Sequence, residues 1–250
     1  MAKKSLQELS IPELSKILDE FGQKQVVFQS EAQFQFNLAW RLQEIYDCNA
    51  KLEELTKVIY KNDYKSPKQK FYTDIVLEKD DYRVAIELKY KTASLEDGEV
   101  ILFNHGATDL GRYDFIWDVK RLEMLLKPNT SEKGLKTCNK GFAIILTNDD
   151  DYWVKCWKPE DKSTDVDITI DNQFRIGEQN QQLHTGCLFA KTMDWKHNVD
   201  GSYPKTIQKS SSSRACNIVL NHAYTYEWKK YTNVENVKNG LFKYMIISVK

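Results

Sequence analysis

The stretch "FYTDIVLEKDDYRVAIELKYK", residues 71–91, contains two apolar segments separated by a short charged turn. Residues 71–78 and 82–91 are rich in β-branched and aromatic side chains, which is typical of strands. A turn centred between Asp80 and Asp81 pairs Ile75 with Ile86 and Leu77 with Val84. The sequence therefore predicts a β-hairpin with one apolar face.

The other face of this hairpin is charged. The same register pairs Asp74 with Glu87 and Tyr72 with Lys89. Like charges directly opposite each other repel, and burying a charge costs free energy unless it is compensated. An acid two residues before a base occurs about five times by chance in a chain of this composition, so the tripeptide alone is weak evidence. The tripeptide becomes more significant because the neighbouring strand carries another acid on the same face.

A hard divalent cation is one reason for two facing carboxylates. Mg²⁺ needs only one or two protein carboxylates, and waters and a substrate phosphate complete its coordination; Mn²⁺ is the usual substitute. Lys89, two residues after Glu87, projects from the same face and is suited to orient or deprotonate a water and to offset developing negative charge. The alternative is a solvated face on which Lys89 pairs with a neighbour.

The segments "TDIVL" and "VAIELKYK" resemble the core of the PD-(D/E)xK nuclease superfamily. The resemblance implies that Asp74 and Glu87 bind the metal and that Lys89 is the catalytic lysine. It also implies that Glu31 is the acid contributed by an N-terminal helix, and that the backbone carbonyl of Leu88 is a further metal ligand. Gln35 is a second candidate from the same helix.

The resemblance covers roughly residues 30–150, and "GRYDFIWDVKRLE" (111–123) also looks like a helix motif of uncharacterised bacterial members. Thr73 departs from the proline that often precedes the first acid. The implied fold is α/β, with a central mixed β-sheet flanked by helices and a restriction-endonuclease-like core with C-terminal elaborations. We expect a single domain over 1–250, with the nuclease core at about 25–150 and an extension at about 151–250.

Two helices are predicted before the hairpin. The first spans 10–22, with Ser10 as N-cap and Glu13 closing a capping box. The second begins at Ser30, and Phe34, Leu38, Leu42 and Ile45 form its apolar stripe. Glu31 and Gln35 lie one turn apart along that stripe, so they point toward whatever the helix packs on. Stabilisation of the helix dipole is the alternative role of Glu31.

Further elements follow from periodicity. Strands are predicted at 55–61, 141–147 and 242–249, and an amphipathic helix at 112–127. The charged side chains of that helix region suit a solvated face better than a substrate-facing or buried charge network; they are Asp109, Arg112, Asp114, Asp118, Arg121 and Glu123. The acids at 149–151 are expected to cap a loop, and His105 is a possible accessory residue of the site.

Nucleic-acid contacts are expected from the lysine-rich loop between the first two strands. Its candidate phosphate contacts are Lys61, Lys65, Lys68 and Lys70. The basic, tyrosine-bearing segment 209–250 is a second possible surface, and a core aromatic set explains it equally well.

The chain has 250 residues, 36 basic and 36 acidic, so its formal net charge is zero. This balance argues against sequence-blind coating of nucleic acid, although it permits local basic patches. Five scattered cysteines without metal-ligand spacing predict neither a zinc site nor a disulfide framework. No secretory or membrane-spanning pattern is present, which favours a cytoplasmic protein without membrane contact.

The sequence thus predicts a Mg²⁺-dependent nuclease that hydrolyses DNA, in restriction, defence or repair, with a homodimer possible. Two alternatives stay open: a catalytically inert nuclease-fold module for binding or assembly, and an RNA-cleaving enzyme. Metal binding separates the first alternative from the nuclease, and competition between RNA and duplex DNA separates the second.

Overall fold

The computed structural model describes residues 3–57, 70–98, 100–126, 137–155, 174–179, 182–183, 218 and 220–250. The helices are α1 (Ile11–Gln23), α2 (Glu31–Tyr46) and α3 (Thr108–Leu126). The strands are β1 (Asn49–Lys57), β2 (Lys70–Lys79), β3 (Tyr82–Lys91), β4 (Leu95–Asp97), β5 (Val100–Leu102), β6 (Lys140–Thr147), β7 (Gln182–Leu183), β8 (Tyr224–Thr225), β9 (Trp228–Asn233) and β10 (Leu241–Val249).

Six strands form one mixed sheet in the order β1-β2-β3-β6-β10-β9. β3 and β6 run parallel, and every other neighbouring pair is antiparallel. The crossover between the two parallel strands contains α3, as a parallel connection requires. The two C-terminal strands extend the same sheet, so β10 lies directly beside β6.

The predicted hairpin register is confirmed. Ile75 pairs with Ile86, and the ladder continues to Lys79 and Tyr82 at the turn. The ladder ends at Ile75 and Ile86, however, one position before the acids. The predicted direct pairing of Asp74 with Glu87 is therefore wrong, and beyond this point β3 pairs only with β6.

Helices cover both faces of the sheet, as expected. α1 and α2 pack on one face, where Leu38 and Phe34 meet Ile75, Ile86 and Leu88. α3 packs on the other face over apolar residues of β6 and β10. Alternate residues of β3 point to opposite faces of the sheet. One set of β3 side chains is therefore buried on the face of α1 and α2, and the other set on the face of α3.

The two predicted N-caps differ in outcome. Ser30 accepts a hydrogen bond from the backbone N–H of Gln33 at 3.1 Å, as an N-cap should. Ser10 precedes α1 but makes no side-chain capping bond. Its predicted partner Glu13 instead forms an ion pair with Lys4, so the predicted capping box is wrong.

The structure differs from the predicted elements at two further strands. β1 begins at Asn49 rather than residue 55, and β9 was not predicted as a strand. The aromatic residues of the basic C-terminal segment are buried, which favours the core reading of that segment; they are Tyr224, Tyr226, Trp228 and Tyr231. Among the helices that the structure describes, none is long and apolar enough to cross a membrane.

Candidate active site

The candidate site lies along the half of β3 where pairing with β2 has ended. There the backbone N–H groups that would face β2 need other acceptors, because unpaired buried donors are costly. The carboxylate of Asp74 accepts from the N–H of Leu88 at 2.5 Å. The carboxylate of Glu31 accepts from the N–H of Tyr90 at 2.7 Å. The early end of the ladder thus brings two predicted acids onto one strand edge.

The side chain of Gln35 forms a hydrogen bond with the backbone of Asp74. Its side-chain Nε2 donates to the carbonyl oxygen of Asp74 at 2.6 Å and to Glu53 at 3.0 Å. Gln35 lies one helical turn after Glu31 and is buried, so α2 supplies both residues from one face, as predicted. Gln35 is therefore a positioning residue for Asp74.

Lys89 is enclosed by acids. Its Nζ lies 2.6 Å from Oδ2 of Asp118 on α3 and donates to the carbonyl oxygen of Leu88 at 3.3 Å. Burial disfavours the charged ammonium, but the carboxylates of Asp118, Glu31 and Asp74 outweigh it and raise the pKa of Lys89 above its ordinary value. Lys89 is therefore a fixed cation rather than a ready proton acceptor.

Glu87 is the most deeply buried acid of the site, with 1 % of its surface exposed. Its Oε1 lies 3.1 Å from Nη2 of Arg121 on α3, an ion pair without hydrogen-bond geometry. Neither oxygen of Glu87 receives a hydrogen bond from the described residues. Burial raises the pKa of Glu87 well above its ordinary value, although the charge of Arg121 opposes the shift.

Asp74 shares this environment. Burial is the main cause that raises the pKa of Asp74 to about 7, and the charge of Lys89 opposes the rise. The negative charges of Asp118 and Glu31 reinforce it, whereas the N–H of Leu88 favours the ionised form. Acids whose pKa values are raised by burial, with a further contribution from neighbouring acids, are typical of sites that bind a cation or a substrate.

The charges of the cluster do not balance. Its acids are Glu31, Asp74, Glu87 and Asp118, and its cations are Lys89 and Arg121. When all are ionised, the acids exceed the cations by two charges, which one divalent cation would neutralise. The unsatisfied oxygens of Glu87 and the carbonyl oxygen of Leu88 are hard ligands of the kind that Mg²⁺ prefers. The residues present therefore fit such an ion.

The carboxylates do not all converge on one point. Among the residues that the structure describes, three acids whose oxygens all lie within 4.8 Å of one another occur only at Asp149, Asp150 and Asp151. Asp149 accepts from the N–H of Asp151, and Asp151 pairs with Lys155, as expected of a capped loop. A cation at the β3 edge would thus have at most two of its carboxylates as close ligands, which is the usual number for Mg²⁺.

Other predicted residues have different outcomes. His105 hydrogen-bonds Thr92 through its backbone N–H at 2.9 Å and through its ring, so it braces the segment that follows β3. Burial lowers the pKa of His105, assisted by Lys91. Of the predicted phosphate contacts, Lys70 begins β2. The rest, Lys61, Lys65 and Lys68, lie outside the described residues.

Helix α3 contributes more to the site than its sequence predicts. Its charged residues were expected on a solvated face, yet Arg112, Asp118 and Glu123 are buried. Asp118 and Arg121 complete the site, with Nη1 of Arg121 lying 3.1 Å from Oδ1 of Asp118. The i, i+3 spacing of these two residues places both on one face of the helix, but it does not indicate that this face is buried.

Comparisons with protein-family models, with curated proteins and with solved structures found no match for this chain.

Proposed function

We propose that this protein is a Mg²⁺-dependent nuclease that hydrolyses phosphodiester bonds of DNA, built on a restriction-endonuclease-like core. The observation that carries the proposal is the cluster at the β3 edge. There Asp74, Glu87 and Glu31 meet Lys89, and the acids of the cluster outnumber its cations by two. The mixed sheet with helices on both faces is compatible with such a core.

Each residue has a role that its contacts support. Asp74 and Glu87, together with the carbonyl oxygen of Leu88, would hold the ion, which when bound supplies Lewis acidity toward the scissile phosphate and a more acidic water. Glu31 is fixed by the N–H of Tyr90 and would position a water or the ion. Lys89 stays protonated and stabilises the extra negative charge of the pentacovalent transition state.

One observation favours a second candidate, an inert binding module of the same fold. Lys89 and Arg121 already form ion pairs with Asp118 and Glu87. The two cations of the cluster are thus paired with acids of the same cluster. A purely structural cluster would, however, need no more acids than cations, whereas here burial raises the pKa of Asp74 and Glu87, so that they avoid an uncompensated buried charge by retaining protons. The excess of acids therefore favours the nuclease.

The experiment incubates the purified protein with supercoiled plasmid, single-stranded DNA and single-stranded RNA, each with Mg²⁺, Mn²⁺ or EDTA. We expect metal-dependent nicking of the plasmid. Asp74→Asn and Lys89→Met should each lower the rate by about a hundredfold or more. Asp150→Asn, which changes an exposed acid of the capped loop, should retain the wild-type rate.

Preference for RNA over both DNA substrates would replace the proposed substrate. Absence of cleavage together with no Mn²⁺ binding in calorimetry would decide for the inert module.

A further inference from the structure

Arg121 occupies an unusual position for a cation in a metal site. Its Nη2 lies 3.1 Å from Oε1 of Glu87, the most buried acid of the cluster. The same atom donates to the carbonyl oxygen of Tyr72 on β2. Its Nη1 lies 3.1 Å from Oδ1 of Asp118. The guanidinium is thus placed between α3, β2 and β3.

These contacts fix the guanidinium in place. The side chain of Arg121 is only 14 % exposed, and its planar fork engages groups in more than one direction. Lys89 sits on the other oxygen of Asp118, so a single aspartate holds both cations. A flexible surface arginine would swing toward solvent, whereas Arg121 remains beside Glu87.

The position of Arg121 affects the net charge of the cluster. With Arg121 in place and all four acids ionised, as ligands of a cation must be, the acids and the two cations leave two negative charges, and one divalent ion completes the balance. A second divalent ion would leave the cluster with a net charge of plus two in a buried setting, which is strongly unfavourable. Without Arg121 the excess would be three negative charges, and Oε1 of Glu87 would lose its cation.

We propose that Arg121 is the built-in second cation of this site: it compensates Glu87 permanently and limits the site to one divalent ion. The inference rests on the proposed function, since it concerns the same site. In sites that hold two ions, the second ion neutralises acids and the phosphate. Here a guanidinium anchored by Asp118 performs the neutralising part.

The test measures Mn²⁺ binding by calorimetry, without substrate. The wild-type protein should bind one Mn²⁺ per chain. Arg121→Met removes a positive charge close to the ion, so the affinity for Mn²⁺ should rise by about tenfold, while the cleavage rate falls. Arg121→Lys keeps the charge and should bind Mn²⁺ with nearly wild-type affinity.

Lys120→Met is the matched control. Lys120 is the neighbouring cation on α3, is 12 % exposed and pairs with the buried Glu123 on a different side of the helix. Its loss should lower stability without changing Mn²⁺ affinity. If Arg121→Met does not fold, Arg121→Gln repeats the measurement, because its amide still donates hydrogen bonds to the same acids.

Three results overturn the inference. They are two ions per wild-type chain, unchanged or weaker Mn²⁺ affinity in the folded Arg121 variants that lack the charge, and no Mn²⁺ binding by the wild type. The last result also ends the proposed function. Mn²⁺ binding with the expected response to Arg121, but without cleavage of any nucleic acid, removes the nuclease proposal alone.

Discussion

At the scale of single residues, the carboxyl group of Asp74 couples the site to stability. Burial raises the pKa of Asp74 to about 7 in the folded protein, whereas its ordinary value is 3.8. Between these two values the folded chain retains a proton that the unfolded chain has lost. The free energy of unfolding therefore falls as pH rises through this window.

Asp74→Asn should remove this pH dependence. The asparagine oxygen can still accept from the N–H of Leu88, so the local hydrogen bond is kept. In EDTA, the stability of the variant relative to the wild type should increase by about 3 kcal/mol between pH 4 and pH 8. Urea unfolding across this range measures the change. Asp81→Asn, at an exposed position of the β2–β3 turn, is the control, and parallel curves for Asp74→Asn and wild type would contradict the prediction.

At the scale of elements, α3 makes buried polar contacts on two of its sides. One side carries Asp118 and Arg121 into the site. The other carries Glu123, which is fully buried and accepts from the N–H groups of Asn221 and His222 and from the hydroxyl of Tyr224. The helix therefore connects the candidate site to the segment that leads into β8.

Glu123→Ala should destabilise the protein by about 3–5 kcal/mol, because several buried hydrogen-bond donors and the partly buried Lys120 would lose their acceptor. Urea unfolding gives the total loss. Hydrogen exchange should accelerate first at the amides of Asn221 and His222, which lose their acceptor. Glu227→Ala, which changes a side chain 75 % exposed, should have little effect. Equal losses in the two variants would show that Glu123 does not anchor this segment.

At the scale of the whole molecule, a chain without net charge contains a locally acidic site. The charge is concentrated at this place because of how the sheet and its helices are arranged. β2 stops pairing with β3 at Ile75 and Ile86, α2 reaches the freed edge from one face, and α3 reaches it from the other. Binding of a cation at this junction should stabilise the folded chain as a unit, since the ligands come from several elements.

Mn²⁺ at about a hundred times its dissociation constant should add about 2.7 kcal/mol of stability, which raises Tm by about 5–10 °C for a chain of this size. Thermal unfolding followed by circular dichroism measures the shift. Asp74→Asn should lose most of it, and NaCl at matched ionic strength should not reproduce it. An identical shift in Asp74→Asn would place the bound ion elsewhere.

The sequence by itself determined the hairpin and its register. Alternating apolar residues put Ile75, Leu77, Val84 and Ile86 on one face, and a short turn between Asp80 and Asp81 selects the observed pairing among the registers that share this face. The helical spacing of Glu31 and Gln35 likewise put both on the inner face of α2. These features are local, so periodicity of two or of 3.6 residues encodes them directly.

Only the tertiary structure decided which charges meet. The end of the β2–β3 ladder depends on competing contacts with Glu31, Gln35 and α3, which no local pattern reports. For the same reason the charges of α3 were wrongly expected in solvent. Asp118 and Arg121 are separated from Glu87 and Lys89 by a crossover whose packing is set by the whole sheet. Burial of a charge is a property of its partners, and those partners are distant in sequence.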